Sequence, residues 1–449
     1  MHNMKDSIRT LSLFQYSIAT ITLVLIMLGL FSFLGTDKFA MNSFLMESIC
    51  FLLLTMAASF LYLGNKKLVV FFSLAYVIKL LIGLFHYLIF IDPNYFSSTG
   101  NIQMLHYEFQ AVMDFLEYSV SEKEQNGLFY FSLGGIVTHQ ELLSLIAIPL
   151  KFFGVKILNI APINSFFSLW AAINIYMLTK QRDWNPATNK WVLLILAYFP
   201  ATLITSYFFR DIVGWAFISV GLVLMIKAKN IVSQIITMLV AMLLFYLQRS
   251  AYVVLPMAIF IAQYAIVSKK KEIWLALVAL LAASFALPYV IDFSFATSDG
   301  ELMEGAREWP IYLIPIKFIV GLIGPFPWTN FFMWHETPEA SYYLSDYLMG
   351  CLNMAFVFCL LLYWKSFIYK GRLAECTIVG IILLIMGIMN KFMHMTYISI
   401  GVFFMVPWFI ERTGVKRFKS SFIYAFVFLF FLNIIFIFLG LSGVGSIVR

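Results

Sequence analysis

Apolar residues run through this chain in long unbroken blocks separated by short polar stretches, and nowhere do they alternate with polar ones at the period of a half-buried strand. A helix needs about 20 apolar residues to cross ~30 Å of hydrocarbon. Blocks near that length fall at about 12–34, 46–63, 68–91, 161–179, 190–208, 212–227, 231–247, 251–267, 273–291, 346–364, 375–390, 395–410 and 420–441. In lipid every backbone N–H and C=O must be satisfied internally, so continuous blocks imply helices. The absence of alternation excludes a transmembrane β-barrel. The expected fold is all-α: a polytopic transmembrane helical bundle of about 13 spans, forming one integral membrane domain over residues 1–449.

Composition sharpens this. Of 449 residues, 62% are hydrophobic and 12% charged, whereas a soluble domain carries about 25% charged residues. The first block, Leu13 to Leu34, follows Lys5 and Arg9. It is too long and unbroken for a secretory signal with a small-residue cleavage site, so it reads as an uncleaved first span. Cys50, Cys351, Cys359 and Cys376 lie in or beside apolar blocks with no disulfide or metal spacing, which makes them packing residues embedded in the lipid-facing blocks. Most Trp and Tyr read as interfacial anchors, and the many Phe as lipid-facing bulk.

Charge sets the expected orientation. With the N-terminus cytoplasmic, the loops holding Lys66 and Lys67, Lys180 to Lys190, Lys227 and Lys229, Lys269 to Lys271, Lys365 to Arg372 and Arg412 to Lys419 all fall inside. Roughly 19 of the 30 Lys and Arg then lie inside, and roughly 18 of the 23 acids outside. The net charge of +7 is thus the sum of a basic and an acidic face. Orientation and contact with anionic membrane lipids account for the basic excess, and a nucleic-acid partner is not expected.

Two hydrophilic stretches, about 92–160 and 292–345, interrupt the pattern, and this orientation puts both outside. Outer loops that long are commonly functional. Both contain aromatic amphiphilic segments suited to an interfacial helix. Gln140 to Phe153 reads as one such helix, ending at Gly154. Trp309 to Ile323 is interrupted by Pro315 and Lys317 and stopped by the Gly-Pro-Phe-Pro-Trp run at Gly324 to Trp328.

There is no Walker loop, dinucleotide glycine pattern, zinc-protease motif or nucleophile elbow. The informative residues are polar ones on the face where charge is scarce. Arg210 and Asp211 sit between spans in Phe-Phe-Arg-Asp, Arg249 sits in Leu-Gln-Arg-Ser, and Lys391 with His394 occupies a third outer hairpin. Each has a plain reading, such as pairing of Arg210 with Asp211 or snorkelling to headgroups. Three basic hairpins on one face suit a shared role, because guanidinium groups bind phosphate bidentately. The first outer loop supplies acids and an imidazole: Asp92 at the lip of the third span, then His106 and Glu108, with Asp114 and Glu117 forming a wet helical face. Each of Asp92, His106 and Glu108 is alternatively a solvated loop residue. No metal site is read and no cofactor is expected, although an acidic lip has oxygen ligands for a divalent cation. Lys79, near the middle of the third span, either pairs with an acid or lines a hydrated cavity.

Several of these features, read in order, resemble the membrane-embedded glycosyltransferases of the C type, and among them the bacterial repeat-unit polymerases of O-antigen and capsule assembly. They are the acidic aromatic start at His106 to Phe109, the Leu-Lys-Phe-Phe-Gly of Leu150 to Gly154, and a span closing at Lys180. Tyr-Phe-Pro at Tyr198 to Pro200 leads to Phe-Phe-Arg-Asp at Phe208 to Asp211, and Gly-Pro-Phe-Pro-Trp stands in the second loop. No paired Asp-Asp opens the first loop, which puts metal dependence in doubt. The resemblance implies a glycosyltransferase on the outer face of the cytoplasmic membrane that joins lipid-pyrophosphate-linked oligosaccharide units into surface polysaccharide. It implies phosphate binding by Arg210, Arg249 and Lys391, and a base among Glu108, Asp92 and His106. The expected partners are a polyprenyl-pyrophosphate-linked glycan and membrane lipids, with a chain-length regulator protein as a further candidate. A multi-pass transporter or flippase of lipid-linked oligosaccharide is the alternative.

Overall fold

A computed structural model describes residues 11–35, 43–90, 148–154, 157–179, 186–198, 209–248, 254–268 and 413–438, with residues 351, 354, 355, 358, 362 and 410. Nine helices are followed here: α1 (Leu13–Leu34), α2 (Ser43–Leu63), α3 (Lys66–Phe90), α4 (Ile160–Thr179), α5 (Pro186–Tyr198), α6 (Phe209–Lys227), α7 (Ile231–Gln248), α8 (Val254–Ser268) and α9 (Val415–Phe438). The described residues contain no strand. Four stretches, within α1 to α4, are long and apolar enough to cross a membrane. The expected blocks at 273–291, 375–390 and 395–410 lie outside the described residues or nearly so, and that at 346–364 is described only in part.

Local chemistry fixes the helix ends. Ser12 caps α1 through a reciprocal pair with Gln15, whose backbone N–H donates to Ser12 Oγ at 3.3 Å while Ser12 N–H donates to Gln15 Oε1 at 3.1 Å. Between α2 and α3, Gly64 takes the left-handed conformation (φ 63°) that a residue with a Cβ adopts at a cost. Asn65 Oδ1 then accepts from Lys67 N–H at 2.9 Å to start α3. Asn230 does the same for α7, accepting from Ser233 N–H at 2.7 Å. Hydroxyls inside the apolar helices are satisfied by their own helix: Ser17, Thr20, Ser48, Thr55, Ser59 and Ser73 each donate to the carbonyl four residues back.

The chain divides into two compact units, residues 1–183 with 194–248, and residues 184–193 with 249–449. In the first, α4 is the axis. Residues 160–177 of α4 are all buried, against 17% of the apolar window of α1, so this stretch of α4 is enclosed by protein while α1 keeps most of its surface outward. That explains why α4 tolerates Asn164, Ser165, Ser168 and Asn174, all buried. Aromatic packing knits its neighbours to it, with Phe51 of α2 at 5.5 Å from Phe166 and Phe166 stacked at 5.8 Å on Trp170. Gly83 of α3 comes so close that an added Cβ would sit 3.0 Å from Ala161 Cβ.

The expectation of interfacial Trp and Tyr and lipid-facing Phe does not extend to every position: Tyr16, Tyr62, Tyr76, Tyr176 and Trp170 and Phe31, Phe51, Phe72, Phe153 and Phe166 are buried inside the bundle, while Phe14, Phe33 and Phe60 are exposed. The reason is that the bundle's interior is as apolar as lipid, so an apolar run does not reveal which of its faces meets protein. Cys50 and Cys351 are buried among protein side chains. In the second unit, Cys351, Met354 and Ala355 pack with Ala425 and Leu429 of α9. There Lys419 also lies over the Trp191 ring, 3.9 Å from its centroid.

Candidate functional site

Contacts at the helix ends give the first unit two distinct ends. At one, Tyr16 near the start of α1 meets Tyr62 at the end of α2, ring centroids 5.2 Å apart, and donates to Asn174 Oδ1 near the end of α4 at 3.1 Å. Lys227, the last residue of α6, donates to the Leu11 carbonyl. Lys66, Lys67, Lys227 and Lys229 gather at this end, with no acid beside them among the described residues. At the other, Phe31 near the end of α1 packs on Phe51 (5.7 Å) and on Phe153 (5.6 Å), and Gly83 near the end of α3 meets Ala161 at the start of α4. Successive helices α1, α2 and α3 therefore alternate in direction, and α4 and α6 both begin at the end away from the lysines.

Arg210 is the second residue of α6 and so belongs to the end opposite Lys66, Lys67, Lys227 and Lys229. The described part of the long 92–160 stretch returns to the same end. Residues 148–153 form a helix stopped by Gly154 (φ 110°), whose N–H donates to Leu150 O at 2.9 Å. Asn159 Nδ2 closes the turn by donating to the carbonyls of Gly154 at 2.9 Å and Phe153 at 3.3 Å. The expected stop at Gly154 is thus observed. Leu150 and Phe153 are fully buried, anchoring this piece against Phe31 of α1. Asp92, His106, Glu108, Arg249 and Lys391 lie outside the described residues.

No family model, curated protein or solved structure matches this chain.

Two ionisable side chains are buried within the first unit. Lys79 of α3 is 1% exposed and Glu47 of α2 is 0% exposed. Among the described residues they form no ion pair with each other, and neither carboxylate oxygen of Glu47 has a hydrogen-bond partner. Of the two alternatives for Lys79, pairing with an acid is not seen among the described residues. Glu47 is a residue the sequence reading passed over. It is the second residue of the block at 46–63, and an acid that near a block's edge resembles a boundary marker. Tyr76 of α3, one turn before Lys79, donates to the Ser48 carbonyl at 3.0 Å, which ties α3 to α2 beside Glu47. Ser43, one turn before Glu47, is also fully buried with its hydroxyl unpartnered among the described residues.

Toward the lysine end a neutral polar chain links four helices. Asn174 accepts from Tyr16 and donates to Ser219 Oγ of α6 at 2.9 Å. Tyr62 donates to Thr20 Oγ1 at 3.1 Å and accepts from Trp170 Nε1 at 3.3 Å. These groups satisfy one another and fix helix register. They have the character of structural glue. Among the described residues no three His, Cys, Asp or Glu side chains assemble as metal ligands.

Proposed function

We propose that the protein is a membrane glycosyltransferase, a repeat-unit polymerase that joins lipid-pyrophosphate-linked oligosaccharides on the outer face of the cytoplasmic membrane. In this reading the chain makes about 13 spans, its lysine end faces the cytoplasm, and the two long hydrophilic stretches face outward. One observation carries it. The end of the first unit opposite Lys66, Lys67, Lys227 and Lys229 is where α3 ends at Phe90, two residues before Asp92, where the chain is described again at 148–154, and where Arg210 opens α6. Acids that accept a hydroxyl proton and a guanidinium that holds a departing pyrophosphate are the two halves such a transfer needs. Arg249 and Lys391 are assigned to phosphate binding in this proposal as well, and a chain-length regulator is a candidate partner.

Buried Glu47 and Lys79 favour a second reading, a transporter or flippase of the same lipid-linked oligosaccharide, because charges inside a bundle mark translocation paths. Reconstitution separates the two. Purified protein in liposomes holding a polyprenyl-pyrophosphate-linked oligosaccharide is expected to yield a ladder of longer glycans and free lipid pyrophosphate. Arg210→Ala and Arg249→Ala are expected to abolish the ladder, and Arg210→Lys to restore it poorly, since a point charge cannot reproduce the bidentate fork. Movement of labelled substrate between leaflets with no new glycosidic bond would instead establish the second reading.

A further inference from the structure

The buried side chain of Glu47 stands without a charge partner among the described residues. The carboxylate is fully buried, and both its oxygens lack a hydrogen-bond partner among the described residues. It is the fifth residue of α2, past the first turn, so the free N–H groups of that helix end do not reach it. An ionised carboxyl in such a place is strongly disfavoured unless positive charge joins it.

Among the described residues the neighbouring elements do not supply that charge. On α2 itself the same face carries Ser43 and Cys50, both fully buried and neutral. From α3 come Tyr76, whose hydroxyl proton is given to Ser48 O, and Lys79, which forms no ion pair with it. From α4 come only neutral polar groups at this end, Asn164 and Ser165, and α1 presents Phe31. Lys151 in the 148–153 segment is half-buried, and no hydrogen bond reaches either Glu47 oxygen from it.

We infer that Glu47, with the Ser43 hydroxyl one helical turn away, is a binding site for a single small monovalent cation, a proton or an alkali ion, held inside the α2–α3–α4 seam. Residues i and i+4 of a helix bring their Cβ atoms within about 5–6 Å, close enough for the hydroxyl and the carboxyl to share one small ion. Both unpartnered groups are then satisfied by one event, and the seam becomes neutral apart from Lys79. The site is independent of whether the protein transfers or transports glycans.

The test uses full-length protein in lipid nanodiscs. Infrared difference spectra report the C=O stretch of a protonated carboxyl, and thermal unfolding in sodium chloride against choline chloride at equal ionic strength reports an alkali ion. The wild type is expected to give one of these signals, a carboxyl band for a proton or a sodium-dependent rise in Tm for an alkali ion. Glu47→Gln, which keeps the shape and removes the charge, is expected to lose it entirely. Ser43→Ala retains the carboxyl and is expected to shift the band or weaken the sodium effect, which keeps the test valid if the Gln variant does not fold. Lys79→Met is expected to leave the signal as in the wild type. Absence of both signals in the wild type, their persistence in Glu47→Gln, or a carboxyl band that appears only in Lys79→Met would overturn the proposal. The last result would mean that the lysine is the counter-ion.

Discussion

One carboxamide, that of Asn174, accepts from Tyr16 and donates to Ser219, so a single side chain on α4 ties α1 and α6 to the axis of the first unit. Replacing it with alanine leaves a buried phenol and a buried hydroxyl to find new partners. Interhelical hydrogen bonds in membranes average about 0.6 kcal/mol, with maxima near 1.7. Asn174→Ala is therefore expected to lower stability by about 1–2 kcal/mol for the two bonds together, read as a fall in Tm of the purified protein, with expression and helix content preserved. At the proposed reaction centre, Glu108→Gln or Asp92→Asn is expected to cut turnover of a purified lipid-linked substrate by about 10²-fold while substrate binding survives, in line with the contribution of a general base. If His106→Ala is inactive and both amide variants remain active, the base is an imidazole. The sequence made some of these residues legible and others not. Lys79 stood out because an ammonium amid an apolar run has no structural use by default. Asn174 and Tyr16 did not, because a carboxamide or phenol in such a run is common and only its partner on a distant helix gives it meaning.

At the scale of the helix, ends were more legible than faces. Caps are local, so Ser12 with Gln15, Asn65 and Asn230 act within a few residues of themselves, and the stop at Gly154 was readable from the glycine after an amphiphilic stretch. Which face of an apolar helix meets protein is a tertiary fact. The run α6 to α7 illustrates it, because Gly221 allows α7 to approach so closely that a Cβ there would lie 2.9 Å from Phe245 and 3.2 Å from Ala241 Cβ. Gly221→Leu is expected to force these helices apart and destabilise the protein by about 1–3 kcal/mol, the usual cost of overpacking. The companion Ala241→Gly in the same molecule should not rescue it, since the clash with Phe245 remains. Measured by denaturation in detergent, an unchanged Tm for Gly221→Leu would mean that α6 and α7 do not cross at this point.

For the whole molecule we propose that apolar helices cross the bilayer in alternation, with the lysine end inside and the two long stretches outside. Within the first unit the alternation follows from which helix ends meet, and the lysines of two separate hairpins, Lys66 with Lys67 and Lys227 with Lys229, fall at one end. That polarity was legible in the sequence because each short loop carries its charge in plain view. The assignment of that end to the cytoplasm comes from the positive-inside rule, and every proposed role of Arg210, Arg249 and the first-loop acids depends on it. Fusions to a reporter active only outside the cytoplasm test it most directly. Fusions after Phe96 and Glu336 are expected to be active, and fusions after Asn65, Lys270 and Lys370 silent. Activity after Asn65 or Lys270, with silence after Phe96, would contradict the account by inverting the molecule in the membrane.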